Sequence, residues 1–337
     1  MKKTACLIAL ILSFMMLFSI SRKQAMDKWI TIISEQDAQI KLSKLEEFHI
    51  EYGDQNDQMT QLIYSHLVGT SYQLTKYDKT IEYGEKALVA LPNIDDQEKI
   101  KIYLALANSY YVTRKDLGQS YDYANLLIKL AKSIQDTIKG TNFKLAFIAP
   151  ALRLKAKILF ENLEKISESF DKAFESLAID QSNNSINLIF GLIREALRLD
   201  RVDEAAAAYE KISSLKPDVE LAKVIGYIYI KKGDDTRAMD FLKASYRVQK
   251  SAKIAYDLGI LYNKIQDIDN AIKYFAESFV LYERVGNDPD NMAKAQNVLL
   301  HLYVNVKMKD VANQEERDKG YEDILAAARM AIEETNL

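Results

Sequence analysis

The sequence contains few of the residues that form tight turns, cross-links and metal sites. Its 337 residues include 11 glycines, 4 prolines, one cysteine and three histidines. Glycine at about 3% and proline at about 1% lie well below the usual roughly 7% and 5%, which argues against a turn-rich β-sandwich or barrel. The single cysteine, Cys6, excludes an intramolecular disulfide, and the histidines are too far apart for a local His/Cys metal cluster. We therefore expect no metal and no cofactor.

The charges are balanced, and no long run of one sign occurs. Lys and Arg number 45 against 48 Asp and Glu, for a net charge of −3. Without a basic face, nucleic-acid binding is not expected. No nucleophile–base pair, glycine-rich phosphate loop or paired-carboxylate motif stands out, so the sequence does not predict an enzyme.

One apolar run near the N-terminus predicts export. Lys2 and Lys3 precede the apolar stretch Ala5 to Phe18, and Ser19-Ile20-Ser21 supplies small residues two positions apart. These are the parts of a secretory signal peptide, so we assign residues 1–21 to one, with cleavage after Ser21. The alternative is an uncleaved inner-membrane anchor, although the run Ala5–Ile20 falls slightly short of the roughly 17 to 25 residues that span a bilayer. Cys6 lies too early for a lipid-modified N-terminus. The expected location is the periplasm or the cell envelope.

After residue 36, apolar residues recur every three or four positions. Examples are Ile102–Tyr111 and Arg201–Ile212, and polar turns such as Lys231–Asp235 separate the periodic segments. This spacing is typical of amphipathic helices, and strand-like alternation never persists. The chain is therefore predicted to be all-α.

The helical segments repeat at a regular interval. Ala205, Ala238 and Ala271 are evenly spaced along the chain. Each alanine is followed four residues later by a bulky apolar residue: Tyr209, Leu242 and Phe275. Upstream, Ile225–Tyr229 (IGYIY) and Leu258–Tyr262 (LGILY) share one signature at the same offset. A self-similar period of about 33 residues indicates a helical repeat array rather than two unrelated domains.

This pattern resembles the tetratricopeptide repeat (TPR) family, whose motif runs W-x2-L-G-x2-Y, then A-x3-F, then P, with a period of 34. Looser copies begin near Val68, Leu106, Leu154 and Leu299, and no copy has the tryptophan. The resemblance implies a right-handed α-solenoid of stacked helix-turn-helix units, about seven of them in residues 59–337. A lead-in region, residues 22–58, would precede them and contain an unpaired helix at Asp37–Tyr52.

Several residues take expected places in this repeat. Gly69, Gly226 and Gly259 are predicted at close helix crossings, and Pro92 and Pro217 at the ends of units. Most repeat-position tyrosines should pack in the core, namely Tyr72, Tyr110, Tyr229, Tyr262 and Tyr303. Trp29 is expected to pack rather than to bind a ligand.

In this family the first helix of each unit lines a concave groove, which implies where a partner would bind. The predicted groove residues are His66, Thr70, Gln73, Asn108, Tyr111, Phe190, Arg194, Lys223, Tyr227, Tyr256 and Asn263. Chaperone-binding relatives clamp a C-terminal carboxylate with Lys or Arg and Asn four residues apart, whereas here Lys253 is followed by Asp257, so that clamp is not reproduced. We expect a non-catalytic scaffold that binds a protein or peptide partner. The alternative is a structural subunit of an envelope assembly or secretion complex, and membrane contact is expected only through an uncleaved N-terminal segment.

Overall fold

The computed structural model describes residues 23–52, 58–91, 93–134, 142–286 and 288–333. The predicted signal segment 1–21, with Cys6, and Pro92 lie outside these ranges. Within them the regular structure is helical and no strand occurs. None of the described helices is long and apolar enough to cross a membrane.

Contacts between helices divide the chain into two compact units, Met1–Ile189 and Phe190–Leu337. The first unit begins with α1, the helical residues 23–33. It continues with α2 to α8 and the start of α9, which extends into the second unit. In chain order, α2 to α9 are Ala38–Tyr52, Gln58–Gln73, Tyr77–Ala90, Asp96–Thr113, Leu117–Ile134, Ala149–Phe160, Ile166–Ile179 and Asn183–Arg198. The second unit continues with α10 to α16: Val202–Ser213, Val219–Lys232, Asp235–Val248, Ala252–Lys264, Ile268–Val285, Pro289–Leu302 and Gln314–Glu333. Short π-helical turns at Lys144–Ile148 and Tyr303–Lys307 adjoin α7 and α15.

The helix ends follow from local chemistry. The Asp95 carboxylate accepts hydrogen bonds from the backbone N–H groups of Gln97 and Glu98, and Asp218 caps α11 through the N–H of Leu221. Such caps satisfy amide groups that have no partner within the helix. Gly233 ends α11 with a φ of +78°, a left-handed conformation that glycine adopts without steric cost.

Consecutive helices pack as hairpins, and the predicted all-α fold of stacked helix pairs is confirmed. Within the described residues, α3 packs on α4, α5 on α6, α7 on α8, α11 on α12 and α13 on α14. The continuity of one array over residues 59–337 remains a prediction.

The regular spacing of the alanines corresponds to a repeated packing arrangement. Ala205, Ala238 and Ala271 are each fully buried. A Cβ added at Gly226 would lie 2.9 Å from Leu242 Cδ2, and one added at Gly259 would lie 2.9 Å from Phe275 Cδ1. The glycine of the first helix therefore allows a large side chain of the second helix to approach its backbone, as predicted for these two positions.

Gly69 does not have this role, and its assignment to a helix crossing is wrong. A Cβ added there would meet no atom within 4 Å, and Gly69 is exposed. A close approach occurs instead between α4 and α5 of the next hairpin, where a Cβ added at Gly84 would lie 2.7 Å from Leu106 Cδ2.

The prediction that the helix at Asp37–Tyr52 is unpaired is also wrong. This helix, α2, packs against α1, where the Trp29 and Phe48 rings lie 5.6 Å apart. The Lys41 ammonium donates to the carbonyl of Ile33 at 2.9 Å. Trp29, 5% exposed, is thus a packing residue, and α1 with α2 forms a further hairpin before the first predicted repeat.

Many of the tyrosines bond carboxylates on neighbouring helices. Of the five predicted core tyrosines, Tyr229 and Tyr303 are buried and the other three are half-buried. Two of these five hydroxyls and three from other tyrosines donate to carboxylates, in the pairs Tyr110–Glu85, Tyr229–Asp203, Tyr83–Glu46, Tyr123–Glu85 and Tyr246–Glu277. A tyrosine thus buries its ring in the core and satisfies its hydroxyl at the edge of the core.

Candidate functional site

On α3, the open face is shifted by one position along the sequence from the face that was predicted to line the groove. Thr70 is only 6% exposed, so its assignment to an accessible groove is wrong. His66 is half-buried, with its ring edge-on to Trp29 at a centroid distance of 5.2 Å. Burial, with a smaller contribution from Lys41, lowers the pKa of His66. Of the three predicted residues, only Gln73 is exposed.

A cavity of about 180 Å³ opens between α3 and α5. We call it the α3–α5 notch; it is lined by Ser65, Val68, Gly69, Tyr72, Lys101, Ile102, Leu104 and Ala105. Ser65, Gly69 and Tyr72 each lie one position before a predicted groove residue, so the open face of α3 is rotated by about 100° from the predicted face. Because Gly69 has no side chain, the space above its backbone stays open.

The rim of the notch is polar and charged. Ser65 donates to the Glu98 carboxylate, and the Lys101 ammonium lies 2.7 Å from Glu98 Oε1. Burial would raise the pKa of Glu98, but the bonds from Lys101 and Ser65 outweigh it and lower that pKa. The notch therefore combines an apolar floor with an ionised rim, the arrangement that positions a ligand through a few polar contacts.

The two predicted residues on α5 lie beyond the notch. The Asn108 amide donates to the carbonyl of Leu104 at 2.8 Å, within its own helix. Tyr111 is half-buried, with the Arg114 guanidinium carbon 4.6 Å from its ring centroid. Arg114 in turn pairs with Glu161. Asn108 follows Lys101 and Ala105 at helical spacing, so it lies on the same face of α5 as the notch.

In the second unit, the structure brings Tyr227 of α11 together with α13. The Tyr227 hydroxyl donates to Asp257 Oδ2 at 2.7 Å, and the Lys253 ammonium lies 3.4 Å from the same oxygen. Lys253 also lies 5.3 Å from the Tyr227 ring centroid. Burial and the Asp257 carboxylate raise the pKa of Tyr227. The polar atoms of these three side chains therefore satisfy one another.

The other residues predicted in this unit have local partners, and the Arg194 guanidinium carbon lies 5.8 Å from the Phe190 ring centroid. Phe190 is 5% exposed, so its assignment to an accessible groove is wrong. Arg194 is exposed and pairs with Asp218 at 2.7 Å, and Lys223 pairs with Glu220 at 2.5 Å. The Tyr256 ring packs edge-on against Phe275. Half-buried Asn263 accepts a hydrogen bond from Gln266 through its backbone carbonyl.

Within the described ranges, no group of three or more His, Cys, Asp or Glu residues is placed so that it could hold a metal ion.

Comparison with known proteins gives structural matches only. No family model and no curated protein matches the chain. A tetratricopeptide repeat protein from Parabacteroides merdae is 14% identical, covering 84% of this chain and 98% of its own, with a TM-score of 0.38. The C-terminal part of a TPR repeat-containing protein from Cytophaga hutchinsonii is 11% identical, covering 88% and 98%, with a TM-score of 0.42. The TPR2AB domain of yeast Sti1, solved as a pHSP90 complex, is 15% identical, covering 81% and 100%, with a TM-score of 0.38. These matches belong to the family that the repeat pattern resembles.

Proposed function

We propose that this chain is an exported, non-catalytic scaffold of the periplasm or cell envelope that binds a partner peptide or helix across α3 and α5. The observation that carries the proposal is the α3–α5 notch. It is an apolar cavity on two helices that the repeat pattern assigns to the binding face, and the absent side chain of Gly69 leaves it open.

The size of the notch suits one side chain rather than a whole small molecule. At about 180 Å³ it is smaller than the roughly 300 to 1,000 Å³ of pockets that enclose a drug-sized ligand. An apolar side chain that enters a fitted pocket typically supplies much of the affinity of a protein interface. We infer that a bulky apolar residue of the partner inserts above Gly69.

The rim supplies donors for the partner's backbone. Lys101 has three ammonium protons, and its contact with Glu98 engages one side of the group. The Gln73 amide is exposed one residue beyond Tyr72 of the lining. Both groups can donate to peptide carbonyls, which would fix the direction of a bound segment.

The proposed location rests on the N-terminal segment. Two lysines, an apolar run and small residues at Ser19 and Ser21 are what an export signal requires. The scaffold role needs no reacting group, and the polar groups around the notch are engaged in ion pairs and hydrogen bonds rather than poised for proton transfer.

A glycine pair in the chain allows a matched test. Gly69→Leu should fill the notch, whereas Gly191→Leu places the same side chain on a helix where an added Cβ also meets nothing within 4 Å. A photo-crosslinking amino acid at Gln73 would report partner capture in the native envelope. Excluding a Leu-sized side chain costs about 1.5 to 3 kcal/mol, so the adduct should fall by about tenfold or more with Gly69→Leu and persist with Gly191→Leu.

The outcomes separate the proposal from its alternative. Equal adduct yields from both variants would reject the notch as the binding site. An adduct that depends on Gly69 but co-purifies only with large membrane complexes would favour the structural-subunit function over capture of one soluble peptide.

A further inference from the structure

Another cavity opens in the second unit, between α14, α16 and the turn that follows α15. Its volume is about 200 Å³, and we call it the α14–α16 pocket. The residues that line it are Asp269, Ile272, Lys273, Glu277, Lys307, Ile324, Ala327, Ala328 and Ala331. The pocket therefore shares no lining residue with the predicted groove or with the α3–α5 notch.

Small residues on α16 keep the pocket open. Three alanines of α16 line it where longer side chains would fill the space, and Ile272 and Ile324 supply further apolar surface. An apolar cavity of roughly 150 Å³ in another protein takes up benzene. At about 200 Å³, the α14–α16 pocket has room for one aromatic ring system and is too small for a drug-sized ligand.

A buried carboxylate in the lining has one oxygen without a donor. Glu277 is 2% exposed, and its Oε2 accepts a hydrogen bond from the Tyr246 hydroxyl at 2.6 Å. The Lys250 ammonium lies 3.7 Å from the same oxygen. Among the residues that the structure describes, none donates a hydrogen bond to Oε1. A buried acceptor without a donor costs free energy, so a ligand that donates to Oε1 would be stabilised in the pocket.

The charges around the pocket favour an uncharged ligand. Lys307 and Asp269 neutralise each other through a contact of 2.6 Å. Lys250 partly balances the charge of Glu277. An anion would meet the buried Glu277 carboxylate, and a cation would meet the exposed ammonium of Lys273. An uncharged molecule with one N–H or O–H group avoids both repulsions.

The mouth of the pocket suits a small molecule better than a segment of a partner protein. The exposed residues of the lining are Asp269, Lys273, Lys307 and Ala327. Charged residues are depleted at the core of protein interfaces, because a partner that covers them must remove them from water. A rigid ring that enters the pocket leaves these charges in water and loses little conformational freedom on binding.

We propose that the α14–α16 pocket binds a small, uncharged aromatic molecule with one N–H or O–H donor, such as an indole or a phenol. Its ring packs against Ile272, Ile324 and the alanines of α16, and its donor bonds Glu277 Oε1. The proposal goes beyond the scaffold function, which rests on the α3–α5 notch and needs no small molecule.

Fluorine NMR of the full chain, with fluoroindole as the probe, tests this site. Fluorobenzothiophene, which has a similar shape but no N–H, is the matched ligand. Ala327→Leu should fill the pocket, whereas Ala326→Leu places the same side chain at an exposed neighbouring position that does not line it. Glu277→Gln replaces the carboxylate by an amide, and circular dichroism verifies that each variant is folded.

We expect the wild type to bind fluoroindole about tenfold or more tightly than fluorobenzothiophene, because a hydrogen bond to a charged acceptor adds to the burial of the ring. Ala327→Leu should weaken the binding of fluoroindole by about tenfold or more, and Ala326→Leu should leave it unchanged. Glu277→Gln should lose most of the preference for fluoroindole over fluorobenzothiophene.

A wild type that does not bind fluoroindole, or equal affinities in the two leucine variants, would overturn the proposal. Equal affinities of the wild type for the two ligands would also overturn it, since Glu277 would then have no role. If a short peptide with a central tryptophan bound more tightly than fluoroindole, the pocket would be assigned to a protein partner instead of a small molecule. None of these measurements involves the crosslinking at Gln73, so the two proposals fail independently.

Discussion

Replacing Gly259 by alanine should destabilise the protein relative to the same replacement at Gly191. Both glycines lie in helices of the second unit, α13 and α9. Replacing a helical glycine by alanine gains about 0.5 to 1 kcal/mol from backbone entropy, and this gain is common to both variants. At Gly191 the new methyl meets nothing within 4 Å, so only the gain remains.

At Gly259 the new methyl must displace the ring of Phe275. Its Cβ would lie 2.9 Å from Phe275 Cδ1, closer than carbon atoms pack. Phe275 is 1% exposed, and Tyr256 holds its ring edge-on at 5.3 Å, so the ring has little room to move. Overpacking of this kind costs about 1 to 3 kcal/mol, which is therefore the expected difference in free energy of unfolding between the two variants.

Urea unfolding followed by circular dichroism measures the difference. Gly191→Ala should raise the midpoint, and Gly259→Ala should leave it unchanged or lower it. Gly226→Ala, whose Cβ would lie 2.9 Å from Leu242, should behave like Gly259→Ala. Equal stabilisation by all three would refute the reasoning, because the close glycine contacts would then not constrain the helix pairs.

Two further predictions concern a buried carboxylate and a half-buried histidine. Tyr246→Phe should lower the free energy of unfolding by about 1.5 to 3 kcal/mol, because the Glu277 carboxylate, 2% exposed, loses the hydroxyl that donates to it at 2.6 Å. An unchanged midpoint in urea unfolding would contradict this. For His66, burial lowers the pKa below the usual 6.5 in the folded chain, so the unfolded chain binds the proton more readily and stability falls as the pH drops through about 6.5. His66→Gln should therefore lose less stability than the wild type between about pH 7 and about pH 5. Urea unfolding monitored by Trp29 fluorescence measures this, and identical pH profiles for the two proteins would exclude a role for His66.

The repeat register was predictable because it depends on residue size at fixed intervals. The evenly spaced alanines are buried, and Gly226 and Gly259 face large side chains of the following helix. These positions are constrained by contacts within one hairpin, so the spacing along the chain carries the information.

The exposure of individual side chains on α3 was predicted less well, because it depends on how a helix is rotated about its axis. On α3 an error of one residue moves a side chain by about 100°, which is enough to exchange exposed Gly69 for buried Thr70. The alanine and leucine pattern of the core limits this rotation only loosely, since α3 packs against helices on several sides. Phe190 was misplaced for a similar reason: periodicity does not tell a buried aromatic residue from one that lines a groove.

The sequence by itself determined that this chain is helical, that its helices repeat at a regular interval and that an apolar segment precedes them, since composition and spacing carry these properties. Only the tertiary structure decided that α2 is paired, that Gly69 opens a notch rather than a close crossing, and that α1 exposes Met26, Ile30 and Ile33. The physical reason is that exposure is a property of neighbours. Whether a side chain meets solvent depends on which helices pack around it, and those contacts join residues that are far apart in the sequence.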